Sequence, residues 1–219
     1  MLSSKNNWDY FWSLDKTAKF TKESWSKKRI KTILAKYLFK DALILDAGCG
    51  SGFFSKYFSD TGLNVFSLDY SIEALRIAKE ITEGKASVIN EDLTAPDLPE
   101  KISSRFDFIF SDGLLEHFDY DKQNIILRNL IALLKKDGCL ITFVPNKFSP
   151  WQIIRPFFMP GIKEKPFVYK ELIELHQKNN LEVISGGGIN TLPFRFSPDN
   201  SFGKYFGMLI YIIAKKNYE

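Results

Sequence analysis

One stretch constrains this chain more than any other: Leu45-Asp46-Ala47-Gly48-Cys49-Gly50-Ser51-Gly52. An apolar run starting at Leu43 ends in a carboxylate, glycines follow at alternate positions, and a helical pattern begins at Phe53. A strand, a tight turn and a helix in that order form the front half of a β-α-β unit. Glycine is needed where the backbone turns sharply or lets a ligand approach with no Cβ in the way. The helix that follows aims its free N–H groups and partial positive charge at the same point.

Around this loop, strand and helix patterns alternate. Leu43–Asp46, Asn64–Asp69, Ala86–Asn90, Phe106–Ser111 and Cys139–Val144 read as strands. Phe53–Ser59 reads as a helix stopped by Gly62. Ser71 caps a second helix, with Glu73 favouring its dipole and Gly84 ending it. Asn124–Lys136 is a third, terminated by Gly138. Alternation of this length implies a parallel sheet covered on both faces. The end of the chain differs. After a helix at Lys170–Asn179, two strand-like segments, Leu181–Gly186 and Gly207–Lys215, suit an antiparallel hairpin at one sheet edge, joined by a turn-rich stretch over 187–206.

Two regions flank this α/β core. Trp8–Phe20 and Lys22–Phe39 read as helices ahead of the first strand. The stretch 145–168 holds Pro145, Pro150, Pro156, Pro160 and Pro166 among Phe148, Trp151, Phe157 and Phe158. It is too rich in proline for a long helix and too aromatic for a linker. The expected organisation is one domain over 1–219, with an N-terminal helical lid at 8–39 and an aromatic cap at 145–168.

A chain of 219 residues buries roughly 70% of its unfolded surface, enough for a real core. The net charge of +4 comes from lysines scattered along the chain rather than from a dense stripe, which argues against nucleic acid as a partner. No apolar run reaches the ~20 residues of a membrane helix, and no secretory leader is legible at Met1–Asn7. Cys49 and Cys139 have no metal-site spacing, and buried thiols suit a reducing compartment. A cytoplasmic protein with no metal is expected.

The chemistry starts from the glycine spacing. It is G-x-G-x-G, not the G-x-G-x-x-G of dinucleotide binders. Asp46 would repel a pyrophosphate but suits a cationic amino acid moiety, which favours S-adenosylmethionine over NAD. Asp69, ending the second strand, can accept both ribose hydroxyls, and Tyr70 follows it. After the third strand, Asp92 can accept from an adenine amino group, with the Leu93 backbone N–H reaching the ring; Glu91 and Asp97 compete for that role.

Taken together, the glycine loop, Ser67-Leu68-Asp69-Tyr70-Ser71, Glu91-Asp92-Leu93, Phe106–Ser111 and Leu134-Lys135-Lys136-Asp137-Gly138 resemble the class I S-adenosylmethionine-dependent methyltransferases over about Leu43–Val144. The resemblance implies a doubly wound, seven-stranded, mostly parallel Rossmann-like sheet with an antiparallel C-terminal hairpin. It implies that Gly48, Gly50 and Gly52 hug the methionine part, that Asp69 holds the ribose, that Asp92 and Leu93 take the adenine, and that Ser111 lies beside the methionine end. In similar enzymes a residue from the N-terminal region touches the methionine carboxylate.

His117, after the fourth strand in Leu114-Leu115-Glu116-His117, is the candidate base; a structural role for it stays open, and Glu116 would hold it. His176 reads as structural. The fourth strand runs into Ser111-Asp112-Gly113, not the Asn/Asp-Pro-Pro-Tyr/Phe of exocyclic-amine nucleic-acid methyltransferases. The expected activity is methyl transfer to O or N of a small acceptor of lipid-like or aromatic type. A protein or nucleic-acid methyltransferase, an NAD-dependent oxidoreductase and a cofactor-binding module without turnover remain as alternatives.

Overall fold

The computed structural model describes residues 5–158 and 162–217. Strand β1, Leu43–Ala47, shows how the fold divides. Ile44 faces one apolar layer and Leu45 the other. Side chains alternate across a strand, so a strand apolar at both must be covered on both faces. The first layer packs Leu45, Leu68, Ile109 and Leu140 under a helix carrying Ile126, Leu130 and Leu133. The second packs Ile44, Phe108, Phe110 and Ile141 against Ile30, Leu34, Phe54 and Phe58. Phe58 and Phe110 are fully buried with ring centroids 5.3 Å apart, and each such side chain contributes about 1.5–3 kcal/mol by burial.

In chain order the N-terminal region forms α1 (Lys5–Ser13), a 3-10 turn (Asp15–Thr21) and α2 (Trp25–Leu34). After β1 come α3 (Phe53–Asp60), β2 (Asn64–Asp69), α4 (Ile72–Ile81), β3 (Ser87–Asn90), the single turn α5 (Leu98–Lys101) and β4 (Phe106–Asp112). A short 3-10 turn, Leu115–His117, leads into α6 (Tyr120–Leu133) and β5 (Leu134–Pro145). The chain ends in α7 (Trp151–Phe158), α8 (Tyr169–Lys178), β6 (Leu181–Ile189), α9 (Asp199–Phe206) and β7 (Leu209–Lys216). The seven strands lie in the order β3-β2-β1-β4-β5-β7-β6. All pairings are parallel except β5–β7 and β6–β7, so the doubly wound sheet with its antiparallel edge is as the sequence implied. Among the described residues no helix is long and apolar enough to cross a membrane.

Caps mark several boundaries. The Ser71 hydroxyl accepts from the Ala74 N–H, 3.2 Å, and Gly62 and Gly84 adopt left-handed φ of 84° and 73° after α3 and α4. Four local expectations are corrected. The helix placed at Trp8–Phe20 breaks at Leu14, which is extended, and Thr17 Oγ1 caps the break by donating to the Leu14 carbonyl, 2.7 Å. The helix at Lys22–Phe39 is shorter: α2 starts after Ser24, whose hydroxyl accepts from the Lys27 N–H, and stops at Leu34.

Next, α6 ends at Leu133 rather than Lys136, because Leu134 turns extended and pairs with Phe106 as part of β5. Gly138 is therefore not a helix stop. A Cβ there would lie 2.8 Å from the Phe106 carbonyl, and the bare backbone lets two strands approach. Finally, the stretch 187–206 is not a plain turn. Strand β6 continues through Gly186-Gly187-Gly188 to Ile189, and α9 crosses it where Gly188 meets Gly203: a Cβ on either would sit 2.0 Å from the other's carbonyl oxygen. In the expected cap, α7 and Phe167 are ordered, and Pro160 lies outside the described residues.

His176 is fully buried on α8. Its Nδ1–H donates to the Leu172 carbonyl, 2.8 Å, and its Nε2 accepts from Thr142 Oγ1, 3.2 Å. Burial pushes its pKa down to about 4, the behaviour of a neutral core histidine.

Candidate active site

Ligand sites in such sheets form outside the carboxyl ends of the strands, where the order reverses. Here that point is beside β1, between β2 on one side and β4 on the other. A cavity of about 610 Å3 opens there, within the range of small-ligand sites. It is lined by Asp46, Gly48, Cys49, Gly50 and Ser51 after β1, by Asp69 and Tyr70 after β2, and by Glu91, Asp92 and Leu93 after β3. Asp112, Gly113, Leu114, Glu116, His117 and Phe118 line it after β4. Trp8, Phe11, Trp12, Phe20 and Lys27 come from the N-terminal region, and Pro145, Trp151 and Glu164 from the segment after β5.

The glycines divide into two kinds. All three in the loop have left-handed φ, 73° at Gly48, 49° at Gly50 and 68° at Gly52. A Cβ on Gly48 would stand 3.0 Å from Leu114, and one on Gly50 would stand 2.7 Å from the Trp12 ring, so at these two the bare backbone lets cavity-lining side chains pack close. A Cβ on Gly52 would lie 2.5 Å from Ala78 Cα in the middle of α4. Gly52 therefore meets α4 closely, and it is not among the residues that line the cavity. The bare backbone at Gly48 and Gly50, rimmed by carboxylates, fits an adenosine and amino acid ligand with a cationic end.

Electrostatics sharpen the fit. Asp46 is buried and accepts from Ser55 Oγ, 2.6 Å, which in turn contacts Ser67 Oγ at 2.7 Å. Burial, aided by Asp112 and Asp69, pushes its pKa up to about 7 against the pull of the Ser55 hydroxyl. Asp69 accepts the Gly50 N–H on one oxygen, 3.0 Å, and the Ser71 N–H on the other, 2.9 Å. Burial still raises it to about 6. Each carboxylate oxygen has a second lone pair, so Asp69 can brace the loop and accept ligand hydroxyls together. Burial and the neighbouring carboxylates, Asp69 foremost, push the Tyr70 phenol well above its usual value. Asp92 spends Oδ1 on Thr94, whose N–H and hydroxyl each donate at 2.8 Å, yet its residue still lines the cavity beside Leu93.

The resemblance put Ser111 at the methionine end. In the fold Ser111 is buried in β4 beside Thr142 and does not line the cavity; Phe110 and Asp112 do. Residues i and i+2 of a strand share a face, so if Phe110 and Asp112 face the ligand, Ser111 faces away. Asp112 is raised to about 6 by burial, partly offset by Lys27, and Lys27 is lowered to about 8 by burial. Lys27 donates to the Phe20 and Lys22 carbonyls and lies 4.0 Å over the Phe53 ring. Sequence reasoning missed both Asp112 and Lys27; alternation with Phe110 was the available signal for the first.

His117 stands in the cavity wall, 4% exposed. Its Nδ1 lies 3.0 Å from the Lys163 carbonyl, which can only accept, so Nδ1 carries a proton, and in the neutral ring Nε2 holds the lone pair. Trp8 holds the ring edge-on, with centroids 4.8 Å apart. Glu116 Oε1 lies 3.8 Å from Nε2. No metal was expected from the sequence, yet the fold brings Glu116, His117 and Glu164 together, with one potential ligand atom from each lying within 4.8 Å of the others. Glu164 is distant in sequence and was not foreseen.

Residues 44–138 match the family model described as a methyltransferase domain. That match covers less than half of the chain, and the glycine loop and strands β2 to β4 of the sheet lie within it. Among curated proteins it is similar to the malonyl-[acyl-carrier protein] O-methyltransferase of Hamiltonella defensa, 36% identical over 102 residues, covering 47% of this chain and 37% of that protein. It is also similar to the ubiquinone biosynthesis O-methyltransferase of Pelagibacter ubique, 27% identical over 165 residues, covering 69% and 66%. The match thus spans less than two thirds of either relative. A solved methyltransferase from Anabaena variabilis shares the fold with a TM-score of 0.73 at 20% identity, covering 99% of this chain and 96% of that one.

Proposed function

We propose that this chain moves a methyl group from S-adenosylmethionine to an oxygen of a small acceptor with an aromatic or lipid-like body. The observation that carries the reading is the acid-rimmed cavity over a glycine loop of left-handed φ, with Asp69 braced at its edge. Asp46, Asp69, Glu91, Asp92, Asp112, Glu116 and Glu164 line it against Lys19, Lys22 and Lys27, a balance that favours a cation and opposes a pyrophosphate or nucleic-acid backbone. Oxygen is favoured because both relatives above are named O-methyltransferases. The aromatic wall of Trp8, Trp12, Phe20 and Trp151 supports an apolar or ring-bearing acceptor. Buried Cys49 and Cys139 agree with a cytoplasmic setting.

S-adenosylmethionine supplies a methyl group activated by its sulfonium. The chain's own work is alignment and exclusion of water. In this reading Gly48 and Gly50 admit the methionine part, Asp46 faces its cationic end, Asp69 takes the ribose hydroxyls, Asp92 and Leu93 take the adenine, and Tyr70 covers the ribose side. The region 8–39 is the lid: Ser71 Oγ donates to Asp9, 2.7 Å, and Ser51 Oγ donates to the Phe20 carbonyl, 2.9 Å, tying it to both rims of the cavity. His117 Nε2 takes the proton of the acceptor hydroxyl.

Two outcomes check this. Label from a methyl-labelled donor, added with the protein to a lysate, is expected in the small-molecule fraction; label confined to macromolecules would overturn the acceptor class. On an acceptor found that way, His117→Ala should lower kcat by about 10²–10⁴-fold while S-adenosylhomocysteine binds as before. An unchanged kcat removes His117 from the reaction.

A pH effect follows from Asp46. A carboxyl held at about 7 is protonated at pH 6, and a cationic ligand favours its ionised form. Binding then releases a proton below about pH 7, so affinity rises with pH up to about pH 7, by at most about tenfold per pH unit for one proton, and levels off above it. Calorimetry with S-adenosylhomocysteine should show this slope, and Asp46→Asn should flatten it.

A further inference from the structure

We propose that Glu116, His117 and Glu164 form a binding site for one divalent ion of the manganese, iron or zinc class. An imidazole with two carboxylates is the donor set such ions take. The donor atoms lie within 4.8 Å of one another, and Glu116 Oε1 stands 3.8 Å from His117 Nε2. Metal–ligand bonds of about 2.0–2.2 Å at tetrahedral angles set donor pairs about 3.3–3.6 Å apart, so the Glu116–His117 pair must close by a few tenths of an ångström and the widest pair by up to about 1.5 Å on binding.

The surroundings are built for ligation. His117 donates its Nδ1–H to the Lys163 carbonyl, the outer-shell bond that orients a ligating imidazole and leaves Nε2 as the donor. The Lys165 N–H donates to the Glu116 carbonyl, 2.8 Å. Glu164 lies between these two ties, so the segment after β5 is clamped against the turn after β4 with its carboxylate beside the other two. Glu116 and His117 are 1% and 4% exposed, and all three residues line the cavity. Three protein ligands leave coordination positions open toward that cavity.

The ion site stands on this geometry alone; its consequence for the acceptor rests on the O-methyl transfer proposed above. An ion here would lower the pKa of an acceptor hydroxyl placed on it, and an acceptor with two neighbouring oxygens would chelate it. With the ion bound, His117 would serve as a ligand in place of its role as base, and the acidified hydroxyl would lose its proton to solvent.

The test uses the full chain, stripped of metal by chelation and then titrated with Zn2+ by calorimetry and with Mn2+ by electron paramagnetic resonance. One ion per chain is expected, and Glu164→Gln and His117→Ala should each weaken it at least tenfold. S-adenosylhomocysteine binding by the same samples reports folding and the methyl-donor reading independently. The chain has two histidines, so nitrogen-labelled histidine gives an internal control. Zn2+ should shift His117 Nε2 and leave His176 unmoved. Absence of stoichiometric binding, retention of binding in both variants, or an unshifted His117 would overturn the site, even where S-adenosylhomocysteine still binds.

Discussion

Asp69→Ala is expected to weaken S-adenosylhomocysteine binding by about 10²–10⁴-fold. Two charge-assisted bonds to ribose hydroxyls contribute about 1.5–3 kcal/mol each, and tenfold in affinity corresponds to about 1.4 kcal/mol. The variant also strands the Gly50 and Ser71 N–H groups that Asp69 accepts, at 3.0 and 2.9 Å, so the loop itself loosens. Asp69→Asn separates the two effects. Its carbonyl can keep one backbone bond, and its neutral amide cannot match the charge-assisted acceptance of hydroxyls, so it should fall between wild type and alanine. Equal affinity in wild type and Asp69→Ala, measured by calorimetry, would remove Asp69 from the cofactor site and with it the main support for the proposed donor.

The largest stability effect should come from Gly52→Ala. Its φ of 68° costs an L residue about 1–2 kcal/mol. The added Cβ would sit 2.5 Å from Ala78 Cα, a backbone atom in a buried stretch of α4 that has no rotamer to change, and overpacking of that kind costs about 1–3 kcal/mol more. The sum, about 2–5 kcal/mol, corresponds to a fall of roughly 4–20 °C in Tm for a domain of this size. Gly84→Ala is the control. It has the same backbone cost at φ 73° and nothing within 4 Å of its Cβ. Gly84→Ala should lose only the conformational part in a denaturant titration. Equal losses at the two positions would show that the α3–α4 contact is not what Gly52 serves.

The contrast between Gly50 and Gly52 shows what a motif does and does not say. Three glycines at alternate positions read alike along the chain, but one packs against Trp12 in the cavity wall and another faces Ala78 across a helix contact. The placing of Ser111 turns on the same distinction. The resemblance sets it beside the methionine end, whereas the neighbours that line the cavity are Phe110 and Asp112. The helix α9 escaped notice because Pro198 and Gly203 read as turn residues; only the close approach of Gly203 to Gly188 explains why glycine is needed inside that helix.

What the sequence determined by itself is whatever depends on neighbours in the chain. Strand periodicity, caps such as Ser71, and the order of loop, Asp69 and Asp92 after successive strands all arise within short spans, and they suffice for the fold class and for the proposed donor residues. The tertiary structure alone decided the other half of the site. Lys27 acts electrostatically on Asp112, Trp8 meets His117, and Glu164 comes near Glu116 through segments far apart in sequence. Those meetings depend on how α1, α2 and the segment after β5 pack over the sheet edge, and packing of that range leaves no periodic trace in the residues that take part.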